Sequence, residues 1–132
     1  MSTAQVVFVA YGVIIMVVGF AFGSLLGVLR MKAPAARNLA VAHVETLMQA
    51  ALHLALAFTV GAVGFDNGAA TVGAWLLVAA SSMQTIGATL NWLKGVGDQF
   101  AERSLGFYCN SVATFAALPG IGIVAVGVLG RL

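Results

Sequence analysis

Two histidines, a glutamate and a glutamine lie in one apolar stretch of the chain, in the segment AHVETLMQAALH at residues 42–53. An imidazole can ligate a metal or move a proton, a carboxylate can act as a general base, and an amide can hydrogen-bond a substrate. Ionisable side chains inside a membrane are costly, and they are functional-site hypotheses by default. This segment is therefore the first candidate for a site.

Helical spacing divides these residues between two faces. Three polar residues lie about 40° apart on one stripe, at 100° per residue: Glu45, Gln49 and His53. We expect this stripe to face the bundle interior or a neighbouring subunit. His43 points roughly 160° away from Glu45. It shares its face with Leu47, Ala50 and Leu54. A histidine at the head of an apolar face suits haem, whose iron is held by such a histidine.

Composition predicts the elements that must position this segment. Hydrophobic residues make up 61% of the 132 and charged residues 8%, whereas soluble domains have about 25% charge. Four apolar runs are long enough to cross a bilayer as helices, at about 6–29, 39–63, 71–93 and 105–129. Their connections are short. The predicted fold class is all-α, an integral membrane four-helix bundle that forms a single four-span domain over residues 1–132.

Charge placement predicts the orientation. The first and third connections carry Arg30, Lys32, Arg37, Lys94 and Arg103, and the other side carries only Arg131. Basic loops are cytoplasmic as a rule, so we expect a multi-pass inner-membrane protein with both termini outside. The N-terminal run lacks a basic segment and a cleavage site, and is interpreted as a retained helix. So few charges do not indicate nucleic-acid binding, and the single Cys109 excludes a disulfide within the chain.

Other polar residues are expected at depths that match the segment. Asn91 and Trp92 fall near the cytoplasmic end of span three, with Thr89, Thr85 and Gln84 deeper. Span four brings Tyr108, Asn110, Ser111 and Thr114 to similar depths. The pattern predicts one site in the cytoplasmic half of the bundle. Glycines along span one, Gly12, Gly19, Gly23 and Gly27, predict close helix contacts, and Pro119-Gly120 predicts a kink in span four.

The motif AHVETLMQ, followed by LNWL at the end of span three, resembles the hydroxylaminobenzene mutase family, whose second helix carries a motif like Ala-His-Leu-Glu-Gly-Val-Met-Asn. Ala42, His43, Glu45 and Met48 match it, Gln49 stands where that family has Asn, and Asn91-Trp92-Leu93 matches its Asn-Trp-Leu element. The likeness covers roughly residues 38–93. The scaffold is also similar to styrene oxide isomerase, a four-helix membrane enzyme.

The resemblance implies a ferric haem b with His43 as its iron ligand. Leu47, Ala50 and Trp92 are expected beside the haem, and Gln49 is expected to hydrogen-bond the substrate. It further implies a homotrimer in the lipid bilayer, with haem where subunits meet. The isomerases have a pocket tyrosine in the third helix, and SSMQTIGATLNW has none. Gln84 or Thr85 could take that role, or Tyr108 could reach in from span four.

The implied activity is rearrangement of a small aromatic substrate without net redox. An arylhydroxylamine would become an ortho-aminophenol, with haem iron as Lewis acid. Gln49 would be the hydrogen-bond donor and Glu45 the general base. Asn91 and Tyr108 are further catalytic candidates. The alternative substrate is an aryl epoxide that becomes an aldehyde. No glycine-rich nucleotide loop follows a strand here.

Two other classes of protein fit parts of the pattern. A small proton-coupled multidrug transporter would use Glu45 alone. A haem-binding cytochrome subunit would need two axial ligands, and His43 and His53 are separated by roughly 15 Å of helix rise. Structural roles also stay open: Glu45 paired with Arg37 or Arg103, His53 hydrogen-bonded across helices, and Trp92 as an interfacial anchor.

Overall fold

The computed structural model describes residues 1–29 and 31–132, and these fold as four long helices. They are α1 (Thr3–Val28), α2 (Ala35–Ala62), α3 (Gly68–Lys94) and α4 (Leu105–Leu129). All four are long and apolar enough to span a membrane. The all-helical, four-span prediction is confirmed.

The first three helices begin three or four residues earlier than hydropathy predicts, and polar side chains cap the first turns of α1 and α3. Ser2 accepts a hydrogen bond from the Gln5 backbone N–H, and the Gln5 side chain accepts one from the Ser2 N–H. Asn67 caps α3 in the same way through the Ala70 N–H. Such caps satisfy backbone donors that would otherwise be orphaned in the first turn, and a window that averages hydropathy does not register them.

The glycines of α1 form the contact with α2, within one chain. A Cβ on each of three glycines would press on an α2 side chain, in antiparallel register: Gly12 on Leu54, Gly19 on Leu47 and Gly23 on His43. Because glycine has no side chain, the two backbones approach closely. The predicted close contact is confirmed for these three, whereas Gly27 has nothing within 4 Å.

Small residues at seven-residue intervals join α3 to α4, a pattern that the sequence analysis missed. A Cβ on Gly87 would lie 2.8 Å from the Gly106 carbonyl oxygen, and one on Gly73 would lie 3.4 Å from the Gly120 oxygen. The matching positions midway are occupied by Ala80 and Ala113, and both are buried. A seven-residue repeat keeps one face toward a partner helix. The helix runs on through Pro119.

The bundle is open on one flank. The pairs α1–α2 and α3–α4 make the most extensive contacts, and α3 also touches α1 and α2. Among the described residues, α1 and α4 make no contact and α2 meets α4 at only a few positions. The result is a groove that lies between α2 and α4 and has α3 as its floor.

Candidate functional site

Three adjoining cavities form the groove, and each pair of them shares a polar residue. The loop-side cavity, of about 340 Å³, is bounded by α2, α3, α4 and residues 96–99. The α2-side cavity, of about 320 Å³, is lined by Glu45, Met48, Gln49, Leu52 and Gln84. The α4-side cavity, of about 260 Å³, lies against Ala113, Thr114 and Leu118. The shared residues are Glu45, Gln84 and Asn110.

Gln49 is the most unusual side chain in the groove. It is only 8% exposed, and neither its amide nitrogen nor its amide oxygen has a hydrogen-bond partner among the described residues. An unsatisfied buried polar group costs about 1–3 kcal/mol, so buried amides normally have partners. Because Gln49 lines the α2-side cavity, a ligand there could supply both bonds.

Glu45 lies one helical turn from Gln49, half-buried, and borders both the loop-side and the α2-side cavities. It forms no hydrogen bond or ion pair within the described part of the chain. The Arg37 guanidinium instead donates to the Gly97 carbonyl oxygen at 2.5 Å. The suggested pairing of Glu45 with Arg37 or Arg103 is therefore not present, and the carboxylate faces the groove.

His53, the third residue of the stripe, is fully buried in the bundle interior. Its Nδ1 donates to the Gln49 carbonyl oxygen at 2.8 Å. Its ring packs against Phe8 and Tyr11 of α1, at centroid distances of 5.7 and 4.7 Å. The stripe thus faces inward as predicted. His53 is closed off on the α1 side, so it cannot join His43 in a two-histidine haem site within the chain.

His43 lies against α1 on the other side of α2. Its Nδ1 is 2.7 Å from the Gly19 carbonyl oxygen, which can only accept, so Nδ1 carries the proton. In this tautomer the lone pair of the ring is on Nε2. A backbone carbonyl on one ring nitrogen is the usual companion of a metal on the other. No cluster of three or more metal-ligating side chains occurs in the described residues, whereas a haem iron can be held by a single histidine.

The apolar face below His43 is already occupied. Leu47 fills the notch at Gly19, and Ala50 is 1% exposed. Leu47 and Ala50 therefore do not offer a free surface beside haem within a single chain, which corrects the expectation. The glycines of α1 let that helix cover their face. Trp92 donates from its Nε1 to the Met31 sulfur at 3.3 Å, and its ring packs against Phe22.

The remaining predicted residues divide between wall and surface. Asn91 lines the loop-side cavity, with its Nδ2 donating to Gln99 Oε1 at 2.9 Å and its Oδ1 accepting from Ser104 at 2.7 Å. Both of its polar atoms are engaged, so it shapes the wall. Tyr108 is 52% exposed and packs on Phe107 at the outer surface. The structure places it outside the three cavities, and Gln84 of α3 lines the α2-side and α4-side cavities.

Sequence reasoning missed two residues of this region. Gln99 comes from a connection that carried no motif, yet its Oε1 accepts from both Asn91 and Asn110. Tyr11 accepts a hydrogen bond from Ser82 at 3.1 Å, is half-buried and packs its ring against His53. Both are positioned by long-range packing. No protein-family model, curated protein or solved structure matches this chain.

Proposed function

We propose that this chain is a membrane isomerase or mutase that rearranges a small aromatic molecule, most readily an arylhydroxylamine to an ortho-aminophenol. The observation that carries the proposal is the buried Gln49 amide, which has no partner among the described residues and lines a cavity beside Glu45. Apolar neighbours such as Met48 and Leu52 suit an aromatic ring. A substrate of this kind would reach the groove from the lipid through the open flank.

The rearrangement requires a hydrogen-bond donor to the substrate oxygen and one proton acceptor. The N–O bond breaks, a C–O bond forms at the ortho ring carbon, the proton on that carbon leaves, and the nitrogen gains a proton. Gln49 Nε2 would donate to the substrate oxygen and favour charge there. The Glu45 carboxylate, one turn away, would take the ring proton. For an aryl epoxide, the same amide would bond the ring oxygen while the C–O bond opens.

Haem b is part of the proposal, with His43 Nε2 as the ligating atom. The hydrogen bond from Nδ1 to Gly19 supports this assignment, because it leaves the Nε2 lone pair free. When bound, a ferric haem supplies a Lewis acid toward a substrate oxygen. Since Leu47 and Ala50 pack against α1, the haem surface would have to be covered from outside this chain. The proposed homotrimer would supply that cover from a neighbouring subunit.

Replacing Gln49 with leucine tests the proposal. Loss of a hydrogen-bond donor to a developing oxyanion costs about 100-fold to 1,000-fold in turnover, and we expect a loss of that size with hydroxylaminobenzene as substrate. Removing an unpaired buried amide should leave thermal stability unchanged or raised. The measurement pairs aminophenol formation by the purified protein with its melting temperature in detergent.

The matched control is Thr46→Val on the same helix. Thr46 is also buried, but its hydroxyl bonds only the Ala42 carbonyl of its own helix, so this variant should keep turnover within about twofold. Normal turnover of Gln49→Leu would exclude Gln49 from the site. A wild-type protein inactive on both hydroxylaminobenzene and styrene oxide would overturn the proposed activity.

A proton-coupled transporter is the second candidate, because the Glu45 carboxylate lacks a cationic partner among the described residues and opens to a groove. Intramembrane carboxylates of this kind form proton and cation sites in transporters. The two candidates differ in one measurement. A transporter reconstituted in vesicles would accumulate a lipophilic cation under a proton gradient and lose this on Glu45→Gln, and an isomerase would not accumulate it.

The proposed location is the inner membrane, with both termini outside and the Lys94–Arg103 connection in the cytoplasm. The excess of Lys and Arg at that end supports the orientation. We expect alkaline phosphatase fused after Leu132 to be active and a fluorescent protein fused there to be dark. A fluorescent C-terminal fusion would reverse the orientation.

A further inference from the structure

The loop-side cavity differs from the other two cavities because its lining is mostly polar. Four amide side chains border it, and they are neutral donors and acceptors: Asn38, Asn91, Gln99 and Asn110. Arg37 and Asp98 add opposite charges at its rim, and Glu45 marks its inner end. Such a lining hydrates readily, whereas the α2-side and α4-side cavities present apolar side chains such as Leu52 and Ile121.

The α3–α4 connection forms one wall of this cavity and is fastened to the helices. Gln99 Oε1 accepts from Asn91 at 2.9 Å and from Asn110 at 3.2 Å. From α2, Asn38 Nδ2 donates to the Val96 carbonyl oxygen at 2.8 Å. These bonds hold the connection against the wall without filling the space. The cavity is thus a fixed opening at this end of the bundle.

The connection also holds its own shape. Glu102 Oε1 accepts from the backbone N–H groups of Gly97 and Asp98, at 2.8 and 3.0 Å. Asp98 Oδ1 accepts from those of Phe100 and Ala101, at 2.9 and 3.1 Å. Both carboxylates are therefore engaged with the backbone that bounds the cavity, so neither side chain extends across it.

At the opposite end of the bundle the interior is filled with apolar side chains. Apolar residues from all four helices and the α2–α3 connection form one buried cluster there, which includes Phe8, Val60, Phe65, Leu77 and Val124. The Phe65 ring occupies the notch left by Gly127. Apolar packing of this kind excludes water. A polar molecule in the groove therefore has a polar-lined path at the loop end and none through this cluster.

We propose that the loop-side cavity is a one-sided aqueous vestibule, through which a small uncharged polar molecule passes between the groove and the solvent around the α3–α4 connection. Neutral amide donors and acceptors match a solute with its own O–H and N–H groups. That this solute is the reaction product rests on the proposed function. Apolar substrate would enter from the lipid, and the product would leave through the vestibule.

Thiol labelling tests the vestibule without any activity assay. In a Cys109→Ser background, Ala88→Cys puts one thiol on the cavity lining, and Ala74→Cys puts one on α3 inside the sealed cluster. The two positions lie on nearly the same face of one helix, and both alanines are buried. Phe100→Cys and Leu132→Cys, which replace highly exposed residues, mark the loop side and the other side.

A membrane-impermeant methanethiosulfonate is applied to the full-length protein in oriented vesicles, from each side in turn. We expect Ala88→Cys to react from the side that labels Phe100→Cys, about tenfold or more faster than Ala74→Cys, because a thiol in a packed core reacts only through local opening. Labelling of Ala88→Cys from the Leu132 side, or at the rate of Ala74→Cys, would overturn the vestibule. The labelling result does not depend on isomerase activity, so the vestibule and the proposed function can fail separately.

Discussion

Replacement of Gly106 by alanine is expected to destabilise the bundle strongly, because α3 and α4 touch there through their backbones. The added Cβ would lie 2.5 Å from the Gly87 carbonyl oxygen and would also collide with the Asn91 amide. The amide could turn away, but the carbonyl belongs to the α3 backbone and cannot. Overpacking of this kind typically costs about 1–3 kcal/mol. The melting temperature of the detergent-solubilised protein, followed by circular dichroism, should fall accordingly.

Gly122→Ala is the matched control on the same helix. Nothing lies within 4 Å of a Cβ built at Gly122, and alanine is favoured over glycine inside a helix by about 0.5–1 kcal/mol. This variant should therefore melt at the same temperature as the parent or slightly higher. Equal melting of Gly106→Ala and Gly122→Ala would show that the α3–α4 contact is looser than described.

Replacement of His43 by alanine is expected to remove bound haem completely. His43 Nε2 is the atom left free by the hydrogen bond from Nδ1 to Gly19, and the proposal gives iron this single protein ligand. The measurement is the visible absorption of purified protein supplied with haem, before and after dithionite. The parent should show a Soret band that shifts on reduction, and His43→Ala should show none above free haem.

Two controls separate loss of the ligand from loss of the fold. His53→Asn removes the other imidazole, which packs against Phe8 and Tyr11. The asparagine amide can replace the hydrogen bond from Nδ1 to the Gln49 carbonyl oxygen. Haem should therefore stay bound in this variant. Added imidazole should restore a Soret band to His43→Ala by occupying the vacated position. Haem retained in His43→Ala without imidazole would refute the ligand assignment.

The groove explains why a chain with so few charges keeps polar groups at membrane depth. Glu45, Gln49 and Gln84 come from two helices and meet where α2 and α4 separate. On the opposite side of α2, His43 lies against α1. One face of α2 therefore presents polar side chains to the groove, and another face packs the His43 imidazole against α1. In the proposed enzyme the groove binds and orients the substrate, and the haem side completes the site only at a subunit boundary.

The sequence by itself determined the helices, the inward stripe and the use of glycine at helix contacts. A long apolar segment predicts a spanning helix because a helix satisfies its backbone hydrogen bonds within the segment. Helical angle places Gln49 and His53 on one face. Both predictions depend only on local periodicity. The seven-residue pattern of Gly73, Ala80 and Gly87 was equally readable from the sequence, but it gains meaning only beside its partner helix.

Tertiary structure alone decided what each face meets. The face of Leu47 and Ala50 looked free for a cofactor, and α1 packs against it because Gly12 and Gly19 leave room. Tyr108 matched the site in depth but points outward. Gln99 entered the site from a connection without a motif. Depth and helical angle fix where a side chain lies on its own helix, and only the packing of the helices fixes which neighbour it faces.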